Sequence, residues 1–406
     1  MSTSLPKTVL FALAMALGAN AAAQESWATS WHASPQPAWG PDFILPTDVP
    51  SHLERQTTRD TVRLSTGGAR LRLVLSNRYG HAPVAVGAVR IAQDGRSAGV
   101  TFAGQAGAVL RPGAQLVSDP VAFAVAPLSR LDVLTWFPGP VAVDSFHWGA
   151  QQTVAIAGGD RTGTPGFAAD TRIPGRLFLN AVLVETPPAQ ARTVVVLGDS
   201  ITDGNGSTAD RDRRWPDALA RRLAPHGIAV ANAGISGARL LRDGMGVHAL
   251  ARLEQDVFGL PGATDLVVLL GTNDIGWPGS PFAPNEAPMS FDELAAGYAQ
   301  LVAAAHARGL RVTGATLPPF EHALEGTPYA GHYSAAKEAL RQRVNAWIRS
   351  GAQFDAVVDF DALLRDPRHP RSLLPAYDSG DHLHPGDSGY AAMADAIDIR
   401  VFARRR

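Results

Sequence analysis

A serine directly follows a strand-like apolar run in the second half of the sequence. The run Val194–Leu197 stops at Gly198, and Asp199 and Ser200 come next. A hydroxyl on the turn after a strand is a position where a nucleophile can sit, but it needs a base to take its proton. No residue beside Ser200 is an obvious base, so the base has to come from elsewhere in the chain.

Three later stretches place polar residues where they could meet this serine. Asn232–Gly234 and Gly271–Asp274 end apolar runs, and Asp381–Pro385 precedes the last helical pattern. In an open parallel sheet, ligands bind at the carboxyl ends of the strands. We therefore expect Ser200 and the three stretches to lie together at one edge of one sheet.

The residue types in these stretches are those that acyl transfer requires. Ser200 is a hydroxyl nucleophile, and His384 is a base whose tautomer Asp381 can hold. The backbone N–H groups of Ser200 and Gly234 and the side-chain amide of Asn273 are donors for an oxyanion. Structural roles stay open for the same residues. Gly234 can be required for a backbone with positive φ, and Asn273 or Asp381 can cap a turn.

Four sequence blocks resemble those of the SGNH (GDSL) hydrolases, in the order of that family. They are "GDSITDG", the glycine of "NAGISG", the asparagine of "GTND" and the Asp-x-x-His of "DHLH", and they span roughly residues 193–406. Ile201 stands where the motif name has leucine, which exchanges one apolar residue for another. The resemblance implies the nucleophile Ser200, the base His384, the orienting acid Asp381, and an oxyanion hole of Ser200, Gly234 and Asn273.

Two neighbouring patterns have other interpretations. His382 and His384 with Asp381 and Asp387 could form a metal cluster, but no second histidine cluster supports one and the chain has no cysteine. We therefore expect no metal and no cofactor, and a structural role for His382. A second Gly-Asp-Ser, ending at Ser388, opens the last helix, where its serine is expected to be a first-turn residue.

The elements that must position these residues follow a strand–helix alternation after residue 188. This pattern predicts an α/β domain over residues 188–406, a parallel, doubly wound, flavodoxin-like sheet with helices on both faces. Its final helix is expected from Asp387 to Phe402. Residues 24–187 instead show short runs of alternating polarity, which predict an all-β sandwich domain. Within it, Gly67-Gly68 is a hairpin signal.

The N-terminus has the pattern of a secretory signal. Lys7 precedes the apolar stretch Thr8–Ala19, and Ala21–Ala23 fits a cleavage site, so residues 1–23 are expected to be removed after Ala23. The stretch is too short for a stable membrane anchor, and the protein is predicted to be secreted or periplasmic. The net charge of −1 gives no basic surface for nucleic acid.

Residues and resemblance together predict an exported serine esterase that hydrolyses carboxylic esters through an acyl-enzyme. Small-molecule esters, acylated carbohydrates or polysaccharides, and lipids are left open as substrates. An acyltransferase with the same triad and a carbohydrate-binding protein with a secondary hydrolase domain are the alternatives. Trp277 lies four residues beyond Asn273 in a long loop, and it is expected to bind substrate by walling the site and limiting acyl length.

Overall fold

The computed structural model describes residues 25–351 and 353–403. The predicted signal segment, residues 1–23, lies outside the described residues. Within the described ranges, no helix combines the length and the apolar character that crossing a membrane requires.

The N-terminal region consists of short strands, and their pairings are antiparallel. The strands are β1 (Trp27–His32), β2 (Gln36–Pro37), β3 (His52–Leu53), β4 (Gln56–Arg63), β5 (Leu71–Ser76), β6 (Val84–Val86), β7 (Ala88–Gln93), β8 (Arg96–Val100), β9 (Ala108–Leu110), β10 (Gln115–Val117), β11 (Arg130–Phe137), β12 (Val141–Ala142), β13 (Ser145–Trp148), β14 (Val154–Gly158), β15 (Thr171–Ile173), β16 (Gly175–Leu177) and β17 (Leu179–Glu185).

Two sheets of this region share one hydrophobic core. One sheet has the order β1-β17-β5-β10, and the other has the order β15-β14-β4-β11-β7-β8. Leu73 and Val182 from the first sheet and Val62 and Val133 from the second are fully buried in the same cluster. Alternate residues of β4 are buried, because one face of a sandwich sheet packs on the core. An antiparallel, sandwich-like region therefore forms the first half of the chain, as the alternating sequence pattern predicts.

The hairpin prediction at Gly67-Gly68 is wrong. The strand before these glycines, β4, pairs with β11 and β14, whereas β5 after them pairs with β10 and β17. The chain therefore crosses from one sheet to the other. The glycines are needed for close packing, since a Cβ at Gly67 would lie 2.4 Å from the carbonyl oxygen of Val125, and one at Gly68 would lie 2.6 Å from that of Glu185.

Strands and helices alternate in the second half of the chain. The elements are β18 (Thr193–Gly198), α1 (Ser200–Asp203), α2 (Trp215–Leu223), β19 (Ala229–Gly234), α3 (Ala249–Leu253), β20 (Ala263–Leu269), α4 (Thr272–Gly276), α5 (Phe291–Ala307), β21 (Arg311–Ala315), α6 (Ala335–Arg349), β22 (Ala356–Val358), α7 (Phe360–Leu364), α8 (Asp387–Ala396) and α9 (Arg400–Ala403). Short 3₁₀ helices cover Pro188–Gln190 and Ala224–His226, and a π-helical turn, Glu254–Phe258, continues α3.

The strands of this half form a parallel sheet with the order β19-β18-β20-β21-β22. This is the flavodoxin-like order. Helix α8 contacts α2 and α7, and helix α5 contacts α3 and α6. Every residue of β18 is buried, and each fully buried valine or leucine stabilises the fold by about 1.5–3 kcal/mol. The predicted doubly wound α/β fold is confirmed.

The last helix is interrupted, unlike the prediction of one helix to Phe402. The backbone at Ile397 is extended, and its carbonyl oxygen accepts a hydrogen bond from Arg222 Nη1 at 2.8 Å. The Asp398 carboxylate then accepts from the Arg400 N–H at 3.0 Å. The Arg222 side chain therefore caps the C-terminal end of α8, and the Asp398 side chain caps the start of α9.

The two regions share a hydrogen-bonded interface. Thr29 N–H in β1 donates to Thr193 Oγ1 at 3.1 Å, and Val230 N–H in β19 donates to Ser65 Oγ at 3.0 Å. The division into domains at residues 187 and 188 remains a prediction. These contacts lie at the amino ends of β18 and β19, and on the carboxyl side of the sheet Gln36 Nε2 of the N-terminal region donates to the carbonyl oxygen of Met245 at 2.9 Å.

Candidate active site

Ser200 is the first residue of α1, at the carboxyl end of β18. This strand lies between β19 and β20 and is buried throughout because it is central in a covered sheet. The carboxylate of Asp199 begins the helix by accepting a hydrogen bond from the Ile201 N–H at 3.0 Å. Ser200 is thereby held on a tight turn at the start of a helix, and it is only 7% exposed.

His384 and Asp381 lie next to Ser200 although they are distant in sequence. His384 Nε2 is 2.7 Å from Ser200 Oγ, and His384 Nδ1 is 2.6 Å from Asp381 Oδ2. The second carboxylate oxygen of Asp381 accepts from the backbone N–H groups of Leu383 and His384, at 2.9 and 2.8 Å. Because a carboxylate only accepts, Nδ1 carries a proton, and Nε2 presents its lone pair to the serine hydroxyl.

The two carboxyl groups near Ser200 have opposite pKa shifts. Burial by itself would raise the pKa of Asp381, but hydrogen bonds and charge from His384 outweigh it and hold that pKa well below its usual range. Burial raises the pKa of Asp199 to about 7, against the lowering effect of the Ile201 N–H. Asp381 is therefore the ionised partner of the histidine, while Asp199 caps the turn.

The structure corrects the prediction for Gly234. Its backbone N–H already donates to Asn232 Oδ1 at 2.9 Å, since Gly234 is still within β19. The glycine that lines the cavity beside Ser200 is Gly237, three residues further on. Within the described residues, the Gly237 N–H has no hydrogen-bond acceptor, so this group is free to bind a ligand.

Gly237 occupies a place that only glycine fits. Its φ is +71°, and a Cβ there would lie 2.5 Å from Met245 Sδ and 2.9 Å from Trp277 Cζ2. The sequence contains an indication that Gly237 faces the site, because "NAGISG" has two glycines and the apolar pattern of β19 stops at the first. A donor facing a ligand at the carboxyl edge comes from the loop beyond the strand, which favours the second glycine.

Asn273 lies at the same edge, near the start of α4. One N–H of its amide donates to the carbonyl oxygen of Ala238 at 3.0 Å, and its side chain lines the cavity with Ser200. An amide nitrogen has two hydrogens, so a second donor remains. The carboxylate of the next residue, Asp274, accepts from the N–H groups of Leu240 and Leu241. Helix α4 therefore holds the loop that contains Gly237.

A mostly apolar cavity of about 160 Å³ opens beside Ser200 and His384. Both regions of the chain build it. The apolar and aromatic side chains around it include Leu45, Trp148, Met245, Trp277, Phe282 and Tyr329. Trp277 lines the cavity, where the sequence places it, and its ring stacks on Phe282 at 5.0 Å. Trp148 and Leu45 belong to the N-terminal region, and no sequence signal separates Trp148 from the other tryptophans there.

His332 is a further residue of the cavity wall that sequence reasoning missed. It is 1% exposed, and neither ring nitrogen has a hydrogen-bond partner in the described part of the chain. Burial lowers its pKa to about 3, with the Lys337 charge acting in the same direction. His332 is therefore neutral, unlike a histidine that shares a proton with a carboxylate.

His382 points away from this site. Its Nδ1 is 2.5 Å from Asp378 Oδ2, and its side chain is half-exposed. Across residues 25–351 and 353–403, no group of three or more histidine, aspartate or glutamate residues is arranged to hold a metal ion. Ser388 lies in the first turn of α8 and donates to the carbonyl oxygen of Ala376 at 2.5 Å.

Ser200, His384 and Asp381 meet at the carboxyl edge of a flavodoxin-like parallel sheet, with the hydrogen bonds by which a serine–histidine–aspartate triad cleaves esters. Residues 196–392 match the GDSL-like lipase/acylhydrolase family. This part of the chain is a domain of that family, and the protein is a carboxylic ester hydrolase. The family resemblance of the four sequence blocks is confirmed.

Solved structures of this kind are similar to about half of the chain. A GDSL-like lipase from Bacteroides thetaiotaomicron VPI-5482 is 23% identical, with a TM-score of 0.39, over 52% of this chain and 88% of its own. The aryl esterase of M. smegmatis is 18% identical, with a TM-score of 0.41, over 52% of this chain and 99% of its own. No curated protein is similar enough to the chain to match it.

Proposed function

We propose that the protein is a serine esterase that works through an acyl-enzyme intermediate. The observation that supports this is the pair of hydrogen bonds that link Ser200 to His384 at 2.7 Å and His384 to Asp381 at 2.6 Å. Ser200 Oγ attacks the ester carbonyl carbon while its proton passes to His384 Nε2. Asp381 holds the Nδ1–H and stabilises the positive charge that the ring acquires.

The negative charge of the tetrahedral intermediate falls on the former carbonyl oxygen. The backbone N–H groups of Ser200 and Gly237 and the amide of Asn273 hold this oxygen in the proposed mechanism. His384 then gives its proton to the leaving oxygen, which departs as a neutral alcohol and leaves the acyl group on Ser200. Water, with His384 again as base, attacks this acyl-enzyme and releases the acid.

The proposed substrate is an ester that carries an apolar group, such as an acylated carbohydrate or a lipid. The apolar lining of the cavity supports this, since burying apolar surface contributes roughly 25 cal/mol per Å². A cavity of about 160 Å³ with Trp148 and Trp277 in its wall favours a small acyl group over a long chain. Hydrolysis of a series of p-nitrophenyl esters tests this, and the expected optimum is at short chains.

Ester turnover by the wild type, compared with Ser200→Ala, tests the reaction itself. We expect the wild type to release p-nitrophenol and the variant not to. Product analysis with an added alcohol separates hydrolysis from acyl transfer, because a transferase would form a new ester in place of the free acid. Failure of the wild type to turn over any ester, together with binding of glycans, would instead favour the carbohydrate-binding alternative.

We also propose that the protein is exported and acts in the periplasm or outside the cell, without a stable membrane anchor. The charged and apolar pattern of residues 1–23 supports this proposal. Mass spectrometry of the protein from separated cell fractions tests it. A mature chain that begins at Gln24 is expected, and an unprocessed chain in the cytoplasm would contradict it.

A further inference from the structure

A second histidine–aspartate pair, which is buried, lies close to the active site and joins the two regions of the chain. His147 belongs to β13, and Asp203 is the last residue of α1, the helix that begins at Ser200. His147 Nε2 is 3.0 Å from Asp203 Oδ1, and the two side chains are 5% and 1% exposed. The pair therefore links the N-terminal region to the helix that bears the nucleophile.

Hydrogen bonds orient both members of this pair. His147 Nδ1 is 2.8 Å from the carbonyl oxygen of Ser34, which can only accept, so Nδ1 carries a proton. Asp203 Oδ2 accepts from the N–H and the hydroxyl of Ser236, at 3.2 and 2.8 Å. The other oxygen of that carboxyl group faces His147 Nε2 at 3.0 Å. One ring nitrogen thus faces a carboxyl oxygen and the other a backbone carbonyl, so His147 is not placed to take a proton from Ser200.

The pair leads to the segment that carries a proposed oxyanion donor. We call residues 235–238 the Ser236 loop. Ser236 is bound by Asp203 through two hydrogen bonds, and Gly237, the next residue, lines the cavity. A second contact reinforces the first, since Gln151 Nε2 in the N-terminal region donates to Asn205 Oδ1 at 3.0 Å, and Ser236 Oγ lies 3.3 Å from the same atom.

We propose that His147 is a positioning residue for catalysis. Through Asp203 it fixes the Ser236 loop, so that the Gly237 N–H stays aimed at the oxygen that becomes negative in the transition state. Oxyanion donors act only when they lie within about 2.7–3.1 Å of that oxygen, and the buried contacts from His147 to Asp203 and from Asp203 to Ser236 restrict the movement of the loop. The N-terminal region is thus part of the catalytic geometry. This inference rests on the proposed serine esterase mechanism.

His147→Gln tests the link, because glutamine keeps a donor toward Asp203 but cannot bond to Asp203 and to the Ser34 carbonyl oxygen at the same time. We expect kcat on a p-nitrophenyl ester to fall roughly 10- to 100-fold, as small misplacements of catalytic groups do, with KM unchanged. Affinity for phenylboronic acid, which forms a tetrahedral adduct on Ser200, should weaken in parallel with kcat. A merely structural role would not couple these two quantities.

His32→Gln is the matched control. His32 is also buried at the interface between the regions and bonds to Ser34 Oγ at 3.2 Å, but it does not contact Asp203. We expect the control to keep the wild-type kcat and boronic acid affinity. An equal loss in His32→Gln, or no loss in a folded His147→Gln, would overturn the proposal.

Ser236→Ala cuts the same link from the other end without leaving a buried charge unpaired. We expect it to fold and to lower kcat and boronic acid affinity in the same direction as His147→Gln. If His147→Gln does not fold, wild-type kinetics in Ser236→Ala would refute the link by itself. Failure of the esterase mechanism gives a different result, namely turnover that survives Ser200→Ala.

Discussion

The pairs His384–Asp381 and His147–Asp203 both lie near Ser200, and their hydrogen bonds give them different chemistry. In His384–Asp381, one ring nitrogen faces the carboxylate and the other faces the Ser200 hydroxyl. In His147–Asp203, one nitrogen faces the carboxylate and the other faces a backbone carbonyl. A hydroxyl can give up a proton and a carbonyl cannot. The first pair can therefore move a proton, while the second can only hold its position.

The comparison also separates the contributions of the two regions. The α/β region supplies Ser200, His384 and Asp381 from turns of its own sheet edge. The N-terminal region supplies His147 to the second pair and Leu45 and Trp148 to the cavity. The same two residue types thus take part in the reaction in one pair and give structural support in the other. The difference lies in the atom that faces the ring nitrogen not bonded to the aspartate.

Replacing Ser200 removes the nucleophile that the His384–Asp381 pair activates, so this substitution has the largest expected effect. Ser200→Ala should reduce ester turnover on the order of 10⁴-fold or more, to background, with the fold intact. Ser388→Ala is the matched control, since Ser388 has the same Gly-Asp-Ser context but lies in the first turn of α8. Steady-state kinetics and circular dichroism measure both effects. Comparable activity in Ser200→Ala and Ser388→Ala would exclude Ser200 as nucleophile.

Removing the base tests which histidine of "DHLH" carries the reaction. His384→Ala should lose nearly as much turnover as Ser200→Ala, because no other ring nitrogen lies opposite Ser200 Oγ among the described residues. His382→Ala should have a mild effect, since its ring contacts Asp378. Comparing kcat/KM for the two variants measures this. A larger loss in His382→Ala would reverse the assignment of the base.

Removing an oxyanion donor tests the proposed oxyanion hole, which the His147–Asp203 pair is inferred to support. Asn273→Ala should lower kcat by roughly 10²–10³ with little change in KM, since its amide acts on charge that develops in the transition state. The variant also loses the bond to Ala238, so a melting curve has to show that it folds. An unchanged kcat would remove Asn273 from the proposed oxyanion hole.

Opening the cavity wall tests substrate choice separately from the two pairs. Trp277→Ala should shift the preference toward longer acyl chains while chemistry at Ser200 survives, because Trp277 packs beside Gly237 and lines the cavity. The measurement is kcat/KM over a series of p-nitrophenyl esters for both proteins. Trp136→Ala is a control in the N-terminal region. A parallel drop at every chain length would mean that Trp277 supports the fold only.

The smallest expected effect is that of a chelator. EDTA should leave activity unchanged, because the histidines and aspartates of both pairs are already hydrogen-bonded to other protein groups. Turnover before and after dialysis against EDTA measures this. A loss that a divalent cation restores would revive the cluster of His382, His384 and the neighbouring carboxylates as a metal site.

Much of the fold follows from local pattern, and the failures have identifiable causes. The run Val194–Leu197 predicts a buried strand because both faces of a parallel sheet are covered, and β18 has these residues. The Gly67-Gly68 prediction failed because a pair of glycines marks either a tight turn or a close backbone contact. At these positions the contacts are with Val125 and Glu185, which are distant in sequence.

The sequence alone determined the residue types at the sheet edge and their order, because strand and helix periodicity are local properties and the carboxyl ends of parallel strands lie together. It therefore placed Ser200, Asn273 and His384 at one site, and the structure brings them to one cavity. The choice between Gly234 and Gly237 required the folded structure, since it depends on where β19 ends and which N–H is already bonded. The tertiary structure alone revealed the contact of His147 with Asp203, because that pairing joins residues from separate regions and no spacing in the sequence encodes it.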